Sequence, residues 1–416
     1  MEGARLLQKL RLTNVLSYGP EGEEIELQPL NVMIGPNGSG KSNLIDAISL
    51  LRASPNDIAA PIREGGGLSE WIHKGGSGAA SDVFGLDAWV SYREAASPLL
   101  HALRLRRVGQ QLAVEQESVT CESVPEGADP ELYWYYRQSA TLTAVNTNIA
   151  DLMQSGHAAG TLPTGPVPPR RARELGPKER SSARSILAQL RDPASYPELT
   201  HLAQVYSQIG LFRDASVGPH SPLRGPQGAA EPISFLREDG ANLALVLNDR
   251  LARPAEKKWL LKELRRFYER VEDVTTRTYA GTIEILFHEG GLDQPITSSR
   301  LSDGTLRYLS LLCILSDPSP PPLVCIEEPE IGLHPDALPH LAHLLVEASE
   351  RMQLIVTTHS DILVSALSDV PEAVVVCERD DRGSHLRRLD PVRLEEWLKK
   401  YTVGGLWRMG EIGGNP

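Results

Sequence analysis

At 416 residues, with 41% hydrophobic and 23% charged positions, the chain has the balance of a globular protein with a substantial core and room for two or three domains, which excludes the disordered and fibrous classes. No apolar run approaches the ~20 residues that cross a bilayer, and residues 1–10 lack the basic and long apolar regions of a signal peptide, so a cytoplasmic protein with no membrane partner is expected. A net charge of −12 speaks against a protein coated in nucleic acid, and Cys121, Cys313, Cys325 and Cys377 form no Cys-x-x-Cys pair, so they read as free thiols in a reducing compartment.

In chain order, apolar runs and alternation predict strands over residues 6–12, 25–27, 30–34, 88–92, 102–108 and 111–114. They read as one lobe with a mostly antiparallel sheet beside a helix at residues 42–53. Gly-rich breaks at 65–67 and 75–78 mark loops, and the Pro, Gly and Arg content of residues 161–182 predicts an exposed linker. Helices are predicted over 184–190, 197–209, 240–251 and 256–271, without the sustained heptads of a coiled coil. From about residue 282, strands at 323–326, 354–357 and 373–377 alternate with helices at 306–315, 335–349 and 361–367, the rhythm of a parallel sheet. The expected division is therefore an N-terminal lobe (1–150), a linker with a compact helical insertion (151–281) and a C-terminal lobe (282–416).

The most informative segment is Gly35-Pro36-Asn37-Gly38-Ser39-Gly40-Lys41-Ser42, which fits the phosphate-binding P-loop pattern without mismatch and stands between the strand at 30–34 and a helix that opens with Lys41, Ser42 and Asn43. Its glycines let backbone amides close around phosphates, Lys41 reaches the β/γ-phosphates, Ser42 offers a hydroxyl to Mg²⁺, and the helix N-terminus adds its positive end. Far downstream, Leu323-Val324-Cys325-Ile326-Glu327-Glu328 is an apolar strand running into two acids. In such a pair one carboxylate holds Mg²⁺ and the next polarises an attacking water. Leu301-Ser302-Asp303-Gly304-Thr305 reads as a second helix start that presents a hydroxyl and free amides, and the strand at 354–357 ends in Thr358-His359-Ser360.

Taken in this order, the motifs resemble the ABC-type ATPases of the RecF, SMC and OLD group, and in particular small relatives that carry Ile-Glu-Glu-Pro-Glu-x-Gly-Leu-His-Pro, here residues 326–335. The resemblance implies an α/β, two-lobed ABC-type P-loop NTPase head with a mixed sheet, using ATP and Mg²⁺. It implies that Gly35 to Asn43 bind the nucleotide, that Ser42 and Glu327 hold the metal, and that Glu328 is the catalytic base assisted by Lys41 and by His359 as the switch histidine. Ser302 and Gly304 would belong to a signature that acts on the ATP of a second subunit, with residues 331–334 as the D-loop of a homodimer. Residues 14–18 would lie beside the adenine. Two departures stand out: transporter-type proteins read Leu-Ser-Gly-Gly-Gln where this chain has Leu-Ser-Asp-Gly-Thr, and Asp where it has Glu327. Gln138 is a candidate for the Q-loop, the alternative being a surface residue of a β-hairpin.

Other features admit two readings. The basic runs Arg170, Arg171, Arg173, Lys178, Arg180, Arg184 and Lys257, Lys258, Lys262, Arg265, Arg266, Arg270 could contact DNA phosphates or could be solvated faces and loops. Tyr133 to Tyr136 could stack on bases or form a packed strand. His334, His340 and His343 could suggest a metal, but two of them share one amphipathic helix. Glu378, Asp380 and Asp381 hint at a Toprim nuclease, yet residues 360–416 are too few for that domain, and Asp380-Asp381-Arg382-Gly383 reads as a hairpin turn. The expected function is an ATPase that dimerises around ATP and acts on DNA in repair or in defence against foreign DNA. The alternative is a nucleotide-dependent switch or scaffold for a separately encoded effector protein such as a nuclease. A transporter subunit fits the long P-loop-to-signature insertion poorly.

Overall fold

The computed structural model describes residues 3–75, 82–92, 97–123, 134–138, 143–147, 171–175, 181–213, 218, 220–230 and 235–414. The chain opens with strands β1 (Leu7–Thr13), β2 (Glu23–Glu26) and β3 (Leu30–Ile34), followed by the P-loop helix Lys41–Ala53. There follow β4 (Val83–Val90), β5 (Leu99–Val108), β6 (Gln111–Cys121), β7 (Trp134–Gln138), β8 (Thr143–Thr147) and β9 (Arg171–Glu174). Helix Pro197–Ser207 leads into β10 (Gly210–Phe212) and β11 (Gln227–Gly228), and helices Leu243–Leu251 and Pro254–Phe267 lead into β12 (Val271–Tyr279), β13 (Thr282–Glu289) and β14 (Ile296–Thr297). The last third holds the signature helix Asp303–Leu315, β15 (Leu323–Glu327), helix Leu338–Ala348, β16 (Gln353–Thr357), β17 (Val374–Asp380) and β18 (Gly383–Arg388).

Two large sheets organise these elements. The first is antiparallel, in the order β2-β1-β4-β5-β6-β7-β8-β9; the second, in the order β10-β15-β16-β3-β17-β18, is parallel except for the β17–β18 hairpin. Strand residues of the second sheet alternate between two hydrophobic cores. Val324 and Ile326 of β15 and Val32 of β3 face the core built with the signature helix, while Leu323, Cys325 and Met33 face the one built with the P-loop helix and the antiparallel sheet. Burial on both faces is why the middle of β16, Leu354 to Val356, is a continuous apolar run and β3 is apolar at every position but Asn31.

This explains one difference from the sequence reading. The run at 30–34 does not join the antiparallel sheet of its own lobe; it lies between β16 and β17, in a sheet built mainly from the last third of the chain. The predicted helix at 184–190 is a single 3-10 turn, Ile186–Ala188, because the buried Glu117 takes the Ile186 amide (2.8 Å) and the Ser185 hydroxyl (2.6 Å) and so fixes the backbone locally. The predicted helix at 256–271 stops at Phe267, and Val271 opens β12. Of the linker expected at 161–182, residues 171–174 form the edge strand β9, and residues 161–170 and 176–180 lie outside the described residues. Among the described residues no helix is long and apolar enough to cross a membrane.

Candidate functional site

The site lies at the carboxyl ends of parallel strands, where ligands bind in open α/β sheets. The register aligns Glu327 with Thr357 and Thr357 with Met33, the residue before the end of β3, so the carboxyl ends of β15, β16 and β3 lie side by side. The turn that follows β3 is the P-loop. Gly35 has φ +146° and no room for a side chain against the Cys377 carbonyl; Gly40 has φ +108°, and a Cβ there would press on Ser17 and Ser384. Pro36, Asn37 and Gly38 form the exposed crest, while Ser39 and Gly40 are buried. Beneath it the buried Tyr18 donates its hydroxyl to the Gly40 carbonyl (2.9 Å), which places residues 14–18 against the loop.

Lys41 folds back over the loop and donates to the carbonyls of Gly35 (2.7 Å) and Pro36 (3.0 Å). Burial lowers its pKa, and the nearby Glu328 and Glu330 carboxylates and Cys377 thiol pull the other way. Two observations show that this cradle fits a nucleotide phosphate. Among the described residues the buried Ser39 hydroxyl has no hydrogen-bond partner, and Gly40 gives the first turn of the P-loop helix no side-chain cap, which leaves its amides for an anion. Ser42 donates to Glu327 Oε2 (3.3 Å), so a hydroxyl and a carboxylate, both hard oxygen donors, converge at the mouth of the loop. Burial raises the Glu327 pKa, opposed by Arg213 and by the Ser42 hydrogen bond. Asn43 is half-buried in the first turn.

Glu328 is a non-glycine residue at φ +44°, a conformation that costs about 1–2 kcal/mol and must be held by its surroundings. Its amide donates to the Thr357 carbonyl (3.0 Å), and its own carbonyl accepts from Arg307 Nη2 (2.6 Å), a side chain of the signature helix. His359 Nε2 stands 3.8 Å from Glu328 Oε1. Glu330 Oε1 accepts from the Thr358 hydroxyl (2.7 Å) and the His359 amide (2.8 Å), which ties the turn after β15 to the turn after β16.

Lys41, Ser42, Glu327, Glu328 and His359 thus meet at one place, whereas Ser302 and Gly304 engage other partners. Ser302 caps the signature helix by accepting from the Thr305 amide (3.1 Å), Asp303 pairs with Arg224, and the missing side chain of Gly304 makes room for the Gly332 carbonyl of the expected D-loop. Gln138 is not at the site: it sits on β7, donating to the Val114 carbonyl and accepting from the Tyr136 hydroxyl, so the hairpin reading holds. Trp134, Tyr135 and Tyr136 are buried on the same strand, and Tyr133 lies outside the described residues. His340 pairs with Glu263 and Arg266. Several cations of the second basic run are also engaged within the chain: Lys257 with Asp273 (2.8 Å) and Arg266 with Glu263 (3.4 Å) on the helix, and Arg270 with Glu289 (3.3 Å) in the turn after it. Of the earlier basic run, Arg170, Lys178 and Arg180 lie outside the described residues. Burial pushes the Cys313 thiol up to about 11 and the Cys377 thiol up to about 12, which leaves both unreactive.

One charged neighbour of the site carried no sequence motif. Arg213 directly follows β10, which pairs in parallel with β15; its guanidinium binds Asp46, one helical turn after Ser42, and its Nε lies 3.9 Å from Glu327 Oε1. The available signal was an apolar run, Ile209 to Phe212, ending in Arg-Asp much as the β15 run ends in two acids.

Fold and site together define a two-lobed ABC-type P-loop NTPase head. Residues 160–365 match the family described as "AAA domain, putative AbiEii toxin, Type IV TA system", and residues 9–52 match another AAA domain family. A 136-residue stretch is 30% identical to the Old nuclease of Escherichia phage P2; the match covers 30% of this chain but only 22% of that protein. Among solved structures, an Smc head bound to the C-terminal winged-helix domain of ScpA covers 94% of this chain (99% of its own) with a TM-score of 0.54 at 14% identity. An Smc head from Pyrococcus furiosus bound to the C-terminal domain of ScpA covers 95% (99% of its own), with a TM-score of 0.52 at 15% identity. The chain is therefore similar to AAA-type ATPase domains over two of its segments and to part of the Old nuclease, and it shares the fold of the Smc heads.

Proposed function

We propose that this protein binds and hydrolyses Mg·ATP, closing as a homodimer around two nucleotides, and that the cycle drives an action on DNA. The observation that carries the reading is the convergence of Lys41, Ser42, Glu327, Glu328 and His359 at the ends of three adjacent strands. In this reading residues 35–43 wrap the phosphates with backbone amides, and Lys41 exchanges its loop carbonyls for phosphate oxygens. Ser42 and Glu327 hold Mg²⁺, which supplies charge neutralisation on the phosphates. Glu328 accepts the proton of the attacking water, and its left-handed backbone is fixed by Thr357 and Arg307. His359, 3.8 Å from that carboxylate, orients it. Ser302 and Gly304 complete the site of the second subunit.

The name of the phage nuclease relative supports a setting in nucleic-acid processing, and the description of the matched family, a putative toxin of a Type IV TA system, supports action together with a second component. A second reading, a nucleotide-timed switch for a separate effector protein, is favoured by a different observation: Lys257, Arg266 and Arg270 already have acidic partners within the chain, which leaves this basic run less charge to offer phosphates. An Smc head of the same fold holding a winged-helix domain shows the type of docking this would need. ATP turnover by the purified protein, measured with and without single- and double-stranded DNA, tests both: stimulation by DNA supports the first, and turnover indifferent to DNA supports the second. No ATP binding at all would remove both.

A further inference from the structure

Resting on the assignment of Ser42 and Glu327 to the metal, we infer that Arg213 is an intramolecular counter-ion of the metal-binding carboxylate, filling with its guanidinium the charge role that Mg²⁺ takes when Mg·ATP binds. The parallel register aligns Phe212 with Ile326, so the next residue on each strand, Arg213 and Glu327, leave the sheet as neighbours. Two carboxylates, Asp46 and Glu327, face this one guanidinium from the P-loop helix and from β15, and Glu328 adds a third acid close by. Unbalanced, these charges would repel one another in a half-buried site.

The two contacts differ in kind. Nη1 is hydrogen-bonded to Asp46, whereas Nε reaches Glu327 only as an ion pair at 3.9 Å, beyond hydrogen-bond range. Nη2 is buried and has no hydrogen-bond partner among the described residues. The arginine is therefore anchored on Asp46 and loosely set on Glu327, so a divalent cation can displace it from Glu327 while the Asp46 anchor holds. The same positive charge disfavours a bare metal ion. Metal enters with the nucleotide, whose phosphate charge offsets the arginine, and the site stays closed to free divalent ions.

Mn²⁺ titration followed by electron paramagnetic resonance reads this without recourse to turnover. In nucleotide-free protein, Arg213→Gln should bind Mn²⁺ about tenfold or more tightly than the unsubstituted chain, and Arg213→Lys, which keeps the charge, should stay close to it. Arg213→Met, neutral and of similar length, serves if the Gln variant does not fold. Equal Mn²⁺ affinity in the neutral variant and the unsubstituted protein, with Mn·ATP binding intact in both, overturns the role of Arg213 alone. Failure of the unsubstituted protein to bind Mn·ATP overturns the metal assignment beneath it.

Discussion

Glu330 holds His359 by its backbone: Oε1 of Glu330 accepts the His359 amide at 2.8 Å and, from the same oxygen, binds the Thr358 hydroxyl at 2.7 Å. Charge-assisted bonds of this type are worth about 1.5–3 kcal/mol each when made, and their loss leaves the buried Thr358 hydroxyl and the amide without an acceptor. Glu330→Ala should therefore lower unfolding stability by about 2 kcal/mol and slow ATP turnover through a displaced His359, with nucleotide affinity little changed. Glu330→Gln, which keeps one acceptor oxygen, should cost less. Denaturant unfolding and turnover assays on both variants check this; equal stability of Glu330→Ala and the parent would mean that the bridge holds nothing.

Replacing Glu328 by Gln removes a proton acceptor but not a ground-state phosphate contact. Hydrolysis should fall by about 10²–10⁴-fold with ATP binding retained, whereas Lys41→Ala should weaken binding itself. Fluorescent-nucleotide binding alongside phosphate release separates the two. Undiminished hydrolysis by Glu328→Gln would falsify the assignment of the base.

Closure around two nucleotides has its own signature. With ATP, Glu328→Gln should shift from monomer to dimer in sedimentation, and adding Ser302→Arg should block the shift by placing bulk and charge where a second subunit's γ-phosphate docks. Ser302 caps its helix through the Thr305 amide (3.1 Å), so the variant also loses about 1 kcal/mol of helix capping, and Ser302→Ala is the control for that loss alone. An unchanged mass with ATP in every variant counts against the closed dimer.

If the helix Pro254–Phe267 touches DNA, log K should fall with log salt at a slope of about −0.9 per phosphate neutralised. Charge reversal at Lys258, Lys262 and Arg266 should flatten that slope and spare basal hydrolysis. Arg266 already faces Glu263 at 3.4 Å and Lys262 lies 3.6 Å from the same acid, so the slope expected of them is small. Absence of DNA binding at low salt in the ATP-bound form turns the case to the effector switch.

A pH effect is expected at the β17–β18 hairpin, whose Ser384 amide binds the Ser17 carbonyl beside the P-loop (2.8 Å). His385 lies 3.1 Å from both Glu23 and Asp380; burial pulls its pKa down, but the hydrogen bonds to Asp380 and Glu23 outweigh this and raise it above 6.5. Asp380 is lowered to about 2, chiefly by the Arg382 amide, and stays charged throughout. Because the folded histidine has the higher pKa, its stabilisation is complete below 6.5 and is lost as pH rises through the folded value. Chemical denaturation across that window should show a decline in the parent that is absent in His385→Ala.

Much of the site was legible one segment at a time. The octapeptide at 35–42, the paired acids after an apolar strand and the histidine after another are local patterns, and each reflects a backbone shape or a strand end that its own residues specify. Arg213 escaped notice because β10 is three residues long, and its neighbours come from strands and helices distant in the chain. Glu117, buried with His101 and Ser185, turned a helix-like stretch into a 3-10 turn through contacts that no periodicity announces.

By itself, the sequence determined the left-handed glycines at 35 and 40, the apolar strands with acids or a histidine at their ends, and the caps that start the helices at Ser302 and Ser360, since these depend on φ/ψ preference, alternation and nearby hydrogen bonds. Only the tertiary structure decided that β3 pairs with β16 and β17 and that Ser42 meets Glu327, 285 positions away, at 3.3 Å. It alone set Arg213 against Glu327 and Arg307 beneath Glu328. The reason is physical: parallel pairing brings together segments whose separation along the chain carries no period, and the order of strands is settled by burying both faces of one sheet between two cores.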